Sequence, residues 1–391
     1  MGFENAAQVC NGILSSAAAG QKKTLLPSDS IINLDHGDPT MFEPYWRNLG
    51  GNCTVVISGS DVMSYFSNPG QICWFLEPGL ENAIRKVHRL VGNAVAEDRH
   101  ILVGTGSTQL FQAGLFALSS ADAPEPISVV SAAPYYSCFK EEVELLRSRL
   151  YTWEGDAKVF EKEGPYIEVV NSPNNPDGTM RRAVVNRKGG KLIHDLAYYW
   201  PQYTTITSAA DHDIMLFTFS KCTGHAGSRI GWAIVKDERI ARRMTKFIEL
   251  SSIGVSKESQ LRAAKILEVI SDDGLQNFAF ENFFEYSHRV MAGRWVRLRE
   301  VVESSEIFRL PEYSEDFCNF NKELTSSYPA FAWLESKEGR DMESLFKEHK
   351  ILTRSGMRFG SEVKDVRISM VCREEMFDLF LERLAAIGKS A

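Results

Sequence analysis

The sequence predicts an α/β protein: a mostly parallel central sheet with helices on both faces, followed by a smaller α+β domain. Three observations carry this. Short β-rich runs that end in turn residues alternate with helix-period patterns along the chain. The 391 residues suffice for two or three domains of ~100–200 residues each. From about residue 275 the alternation gives way to one long charged amphipathic pattern and then to shorter pieces.

In chain order the expected strands fall at 101–103, 127–130, 166–170, 191–193, 214–219 and 232–235. The helices between them fall at 107–118, 140–148, 238–250 and 256–270, the last opened by Ser256-Lys257-Glu258-Ser259 ahead of an apolar face. The long pattern covers 276–304, and a closing helix covers 374–386. This divides the chain into a loose tail (1–30), an N-terminal segment of the small domain (31–60), a large domain (61–280) and a C-terminal small domain (281–391).

Composition narrows the function classes. Lys plus Arg number 44 against 51 for Asp plus Glu, a formal charge of −7, and no basic run exists to neutralise a stretch of phosphates, so nucleic acid is not expected as a partner. The 7 cysteines are scattered, odd in number and never spaced C-x-x-C, which writes neither a disulfide frame nor a metal site and suits a reducing compartment. The first 30 residues lack a signal-peptide core, and no run approaches ~18 apolar residues. Met1-Gly2 is followed by Ala6 where a myristoylation site wants Ser or Thr. A cytoplasmic protein with no membrane partner is expected.

The chemistry-bearing segment is Thr218-Phe219-Ser220-Lys221-Cys222-Thr223-Gly224-His225-Ala226-Gly227-Ser228-Arg229-Ile230-Gly231, directly after an apolar strand. Open α/β sheets bind ligands outside the carboxyl ends of their strands, and a lysine in a partly dry pocket there has its amine pKa lowered toward the nucleophilic range. A bare Ser-Lys pair reads more readily as a surface lysine in a Gly-rich turn. The spacing says more, because Lys221 is followed by Gly224, Gly227, Arg229 and Gly231. That pattern resembles the lysine signature of fold type I pyridoxal-phosphate enzymes, with Thr218 where Ser or Gly is commoner and His225 where an aliphatic residue is commoner.

Other pieces follow the same resemblance. Asp195-Leu196-Ala197-Tyr198 ends a strand and is similar to the aspartate and tyrosine pair of those enzymes, which implies that Asp195 faces the pyridine nitrogen and Tyr198 the phenolic oxygen. Asn171-Ser172-Pro173-Asn174-Asn175-Pro176-Asp177-Gly178 resembles their N-P-x-G turn and assigns Asn175 beside Tyr198; read alone, Asn175 is a turn residue and Asp195 a helix cap. Gly104-Thr105-Gly106-Ser107-Thr108-Gln109 passes from strand to helix, where free N–H groups and the helix dipole favour an anion; a dinucleotide fingerprint would want a third glycine at Gln109. The resemblance makes Ser107 and Thr108, with Thr218, Ser220 and Arg229, the phosphate holders. It also implies a stacked ring from Tyr136, with Tyr135 as the alternative, and a tyrosine at Tyr65 reaching the phosphate from a second subunit of a homodimer. For the substrate carboxylate it implies Arg367, preferred over Arg354, Arg358 and Arg373 as surface charges, and a loop at Gly37 that lets the backbone come close.

Leu34 to Thr40, Trp74 to Pro78, His194 to Pro201 and Gly224 to Gly227 narrow the resemblance to the plant alliinase and tryptophan aminotransferase-related family. It implies pyridoxal 5′-phosphate as cofactor and, as function, transfer of the amino group of L-tryptophan to pyruvate, giving indole-3-pyruvate and alanine at the start of auxin synthesis. The same family also holds C–S lyases acting on S-alkyl-cysteine sulfoxides, with a signal peptide and a cysteine-dense module that these residues do not show. From another class comes a catalytically silent relative serving as a regulatory module. The complete set of Lys221, Asp195, Tyr198, Asn175, Arg229 and Arg367 argues for an enzyme.

Overall fold

The computed structural model describes residues 26–272 and 281–390. Most of the expected tail, residues 1–25, and the first turn of the helix expected from residue 276 lie outside the described residues. After a short strand β1 (Ile32–Asn33), seven strands build one sheet: β2 (His100–Gly104), β3 (Ile127–Ser131), β4 (Tyr151–Asp156), β5 (Tyr166–Asn171), β6 (Gly190–Asp195), β7 (Ile214–Thr218) and β8 (Gly231–Val235). Their order is β2-β8-β7-β6-β5-β3-β4, and only β8 runs against the rest. Strands β3, β5, β7 and β8 are buried along their whole length, which is why their sequences lack polar alternation.

Helices pack in pairs beside this sheet, Gly106–Leu118 with Glu238–Ser252 and Pro78–Val91 with Lys257–Ile270. Inside, Trp232 of β8 stacks on Phe217 of β7 with ring centroids 5.9 Å apart, and its indole N–H donates to His88 Nε2 at 2.9 Å. His88 Nδ1 in turn meets Asn93 Oδ1 at 2.8 Å, so the buried imidazole has both nitrogens engaged.

The strands past residue 300 are β9 (Phe308–Arg309), the hairpin pair β10 (Glu315–Cys318) and β11 (Glu323–Ser326), β12 (Phe331–Ser336), β13 (Ile351–Leu352), β14 (Arg354–Ser355) and β15 (Asp365–Ser369). An antiparallel sheet of order β14-β15-β12-β9 packs with helices Phe283–Glu303 and Glu374–Ser390. Strand β1 joins β13 in parallel, Ile32 opposite Ile351, which ties the chain start to its C-terminal part.

Several boundaries differ from the sequence expectation. The helix expected at 140–148 spans Cys138–Leu145, and Arg147 beyond it takes a left-handed φ of 46°. Strand β4 was not expected: it is an edge strand, only partly buried, and its Glu154-Gly155-Asp156 stretch looks like turn sequence. The strand expected to run through Phe219 stops at Thr218, whose hydroxyl accepts from the N–H of Ser220 at 3.3 Å and caps a single helical turn, Phe219–Cys222. Among the described residues no helix is long and apolar enough to cross a membrane.

Candidate active site

The carboxyl ends of β5, β6 and β7 lie side by side, Asn171 opposite Asp195 and Asp195 opposite Leu216. They open onto a cavity of about 200 Å3. Ten residues expected from the sequence line it: Ser107, Thr108, Tyr136, Asn175, Asp195, Tyr198, Thr218, Ser220, Lys221 and Arg229. Three do not. Gly37 and Arg367 reach its contents through neighbours, and Tyr65 lies apart, 61% exposed in an aromatic group with Phe66 and Trp74. A larger cavity, about 1000 Å3, opens beside the stacked rings of His194 and His212; no expected site residue lines it.

One end of the small cavity is built for an anion. Helix Gly106–Leu118 starts there with its first N–H groups unpaired by the helix, and the Ser107 and Thr108 hydroxyls flank them. Arg229, at a left-handed φ of 52°, folds its guanidinium against this turn, where a Cβ on Gly106 would lie 2.6 Å from Nη2. Gly231 passes directly beneath: a Cβ there would come 2.5 Å from the Ser107 nitrogen. Gly224, with a φ of 89°, would likewise meet Phe42 at 2.8 Å. Gly227 faces open space, so of the three signature glycines only Gly224 and Gly231 are required sterically.

At the other end Asp195 is buried, and burial raises its carboxyl to about 6 despite a hydrogen bond from the Ala197 N–H. Asn171 fixes this corner, donating to the Asp195 carbonyl at 3.0 Å and accepting from the Asn175 N–H at 2.7 Å. Lys221 sits between the ends, its amine donating to the Gly37 carbonyl and lying 5.8 Å from the Tyr198 ring centroid. Burial, with the positive charges of Arg367 and Arg229, lowers that amine to about 8, against Asp38, which raises it. A Cβ on Gly37 would stand 2.6 Å from Phe331 and 3.2 Å from the lysine nitrogen, so this close approach requires glycine.

Arg367 on β15 is 2% exposed, donates to Asn175 Oδ1 at 3.0 Å and to the Asp35 carbonyl, and lies over the Phe331 ring at 4.1 Å. Among the described residues its buried Nε has no hydrogen-bond partner. Burial and neighbouring Arg354 lower it only to about 10, so it stays charged near neutral pH. Tyr136 lines the cavity and packs edge-on against Phe139, whereas Tyr135 packs on Trp153 and against Gly360.

A family model described as Allinase matches residues 32–388. The chain belongs to the Allinase family. It is 53% identical over 397 residues to tryptophan aminotransferase-related protein 1 of Oryza sativa subsp. japonica, covering 99% of this chain and 90% of that one. Tryptophan aminotransferase-related protein 2 of Arabidopsis thaliana is 53% identical over 95% of this chain and 85% of its own length. An alliin lyase of Allium cepa is 36% identical over 94% and 78%. Among solved structures, an aminotransferase from Staphylococcus aureus superposes with a TM-score of 0.65 over 96% of this chain and 98% of that one at 17% identity, which shows the fold, fold type I.

The cofactor of the Allinase family is pyridoxal 5′-phosphate, and the cavity fits it. A phosphate matches the helix start with Arg229, a pyridine nitrogen matches buried Asp195, and the Lys221 amine stands between. His225, the departure from the usual signature, is absorbed by packing: its ring stacks on Phe219 at 5.3 Å and meets Trp46 edge-on at 4.5 Å, with Nδ1 against the Thr223 hydroxyl.

Sequence reasoning missed three groups in this Allinase-family site. Asn171 carried no signal beyond its place two residues before Pro173. Glu142 stands near Asp195 and the Thr108 hydroxyl, and burial together with the Asp195 charge raises it to about 8; only the fold brings its helix there. Arg354, read as a surface charge, is instead largely buried: it grips both oxygens of the Asp35 carboxylate and donates to Ser137 Oγ at 3.0 Å. A short strand pairing, invisible in so few residues, carries it inward.

Proposed function

We propose that the protein is a pyridoxal-phosphate-dependent aminotransferase that takes L-tryptophan as donor and pyruvate as acceptor, yielding indole-3-pyruvate and alanine at the start of auxin synthesis in the cytoplasm. The observation that carries it is the convergence of Lys221, Asp195, Asn175, Tyr198 and Arg229 on one cavity, with charged Arg367 beside it. The names of the 53%-identical relatives favour tryptophan as the amino donor.

When bound, the cofactor supplies an electron sink for the pair left at the substrate Cα. Asp195 would hold a negative charge at the buried end, and Asn175 and Tyr198 would hold the ring oxygen. Lys221 Nζ, lowered to about 8, takes the proton from the substrate Cα and holds it beside the Gly37 carbonyl. Arg367 offers its fork to the α-carboxylate, its unpartnered Nε included, and so sets which Cα bond faces Lys221.

The N-terminal segment 31–60 and residues 281–391 form the smaller domain in this reading, which the β1–β13 pairing supports. Tyr65 supports a homodimer in this reading: exposed, and sharing a surface hollow with exposed Met63 and Ile253, it suits a surface that delivers a hydroxyl to a second subunit's phosphate site.

The likeness to alliin lyases favours one second reading, C–S cleavage of S-alkyl-cysteine sulfoxides, because both reactions begin with loss of the same Cα proton. One experiment separates them. Cofactor-loaded protein is given L-tryptophan with pyruvate, and separately an S-alkyl-cysteine sulfoxide. Equal indole-3-pyruvate and alanine are expected; pyruvate and ammonia from the sulfoxide alone would assign a lyase, and no product from either would leave a silent relative.

A further inference from the structure

We infer that Asp35 selects the acid class this site accepts, by occupying Arg354 and so reserving the pocket for monocarboxylic rather than dicarboxylic substrates. The inference rests on the reading of Arg367 as carboxylate anchor. Strands β14 and β15 place Arg354 directly opposite Arg367. Side chains so paired leave one face of the sheet with Cβ atoms about 4.5–5.5 Å apart. The fold therefore brings two guanidinium groups side by side at the edge of the substrate site.

Their partners differ. Arg367 donates to neutral oxygens, those of Asn175 and the Asp35 backbone, and its buried Nε meets no partner among the described residues. Arg354 is spent on charge: Nε and Nη2 take the two Asp35 oxygens, the latter at 3.1 Å, and Nη1 takes Ser137 Oγ. Asp35 thus touches both arginines, by its carbonyl and by its carboxylate. Burial acts to raise that carboxyl, but Arg354, with the charges of Arg367 and His36, outweighs it and holds it below the usual range, so the pair is ionic near neutral pH.

A dicarboxylic acid anchored on Arg367 would bring its second carboxylate to a guanidinium already neutralised, against the Asp35 charge. A monocarboxylic acid leaves the pair intact. A free Arg354 would instead complete a bidentate seat for a second carboxylate. Two residues beyond Asp35, Gly37 receives the Lys221 amine, so the same short segment that excludes the extra charge also roofs the reacting centre.

The test is isothermal titration of cofactor-loaded protein with propionate and with succinate. Wild type is expected to bind succinate no more tightly than propionate. Asp35→Asn, which keeps the backbone carbonyl and frees Arg354, is expected to tighten succinate about tenfold relative to propionate, as a new charge-assisted pair should. The double variant Asp35→Asn with Arg354→Met is expected to lose that gain and to keep propionate binding. A wild-type preference for succinate, which needs no variant to fold, overturns the inference, as does an unchanged ratio in Asp35→Asn. Propionate binding that survives Arg367→Met overturns it through the anchor and takes the functional reading with it; absent tryptophan turnover with the acid pattern intact fails only the proposed donor.

Discussion

The guanidinium of Arg229 fills the space that a side chain on Gly106 would need, with Nη2 2.6 Å from the place of a Cβ. Gly106 also holds a φ of 75°, where an L side chain costs roughly 1–2 kcal/mol. Gly106→Ala is therefore expected to displace Arg229 from the helix start and weaken cofactor affinity at least tenfold, with a small drop in melting temperature. Fluorescence titration of cofactor-free protein with pyridoxal phosphate measures it; unchanged affinity would mean that Arg229 is not a phosphate ligand.

Lys221 is lowered to about 8 by burial and by the charges of Arg367 and Arg229. Its neutral, nucleophilic form grows as pH rises through 8. The rate of cofactor uptake by cofactor-free protein should accordingly rise with pH and level off above that value. Arg367→Met removes one of the charges that depress the amine, so its profile should move to higher pH. Lys221→Ala should abolish the visible absorbance that the lysine-linked cofactor gives and cost ~10²–10⁴-fold or more in turnover, the scale of a positioned proton-transfer group.

Tyr65 does not line the cavity of its own chain, so the proposed reach of its hydroxyl to a phosphate requires a second subunit. Tyr65→Phe and Lys221→Ala should each be impaired alone. Unfolded and refolded together, they should recover activity in hybrids in which one site draws Lys221 and Tyr65 from different chains. No recovery from a mixture that sediments as a dimer would exclude a shared site.

Three histidines are held neutral by burial: His88 near 4, His225 near 4 and His194 near 3, against an ordinary 6.5. For each the unfolded chain binds the proton first. Their contribution is thus complete above pH 6.5 and is lost as pH falls toward 4. The urea midpoint is expected to fall steeply between pH 7 and pH 5. In His225→Phe, which keeps rings against Phe219 and Trp46, that loss should shrink by roughly 1–2 kcal/mol.

Strand and helix existence through the central sheet was legible because each buried strand is a short apolar run closed by turn residues. The signature after Lys221 was legible for a related reason: Gly224 and Gly231 are forced by close approach, and such positions leave a mark in sequence. Strand β4 was not, since an edge strand has only one neighbour to satisfy and tolerates polar residues.

What the sequence determined by itself was the fold class, the strand-to-helix turn at 104–106 and the line of groups from Thr218 to Arg229, all set by local backbone needs within a few residues. What only the tertiary structure decided was which distant side chains meet there. Arg354 and Asp35 are 319 residues apart, and each alone is an ordinary charged residue. Their pairing beside Arg367 depends on the registry of two short strands, and Glu142 approaches Asp195 only through helix packing. Local propensity encodes neither, because desolvation and charge are properties of what surrounds a residue once the chain has closed on itself.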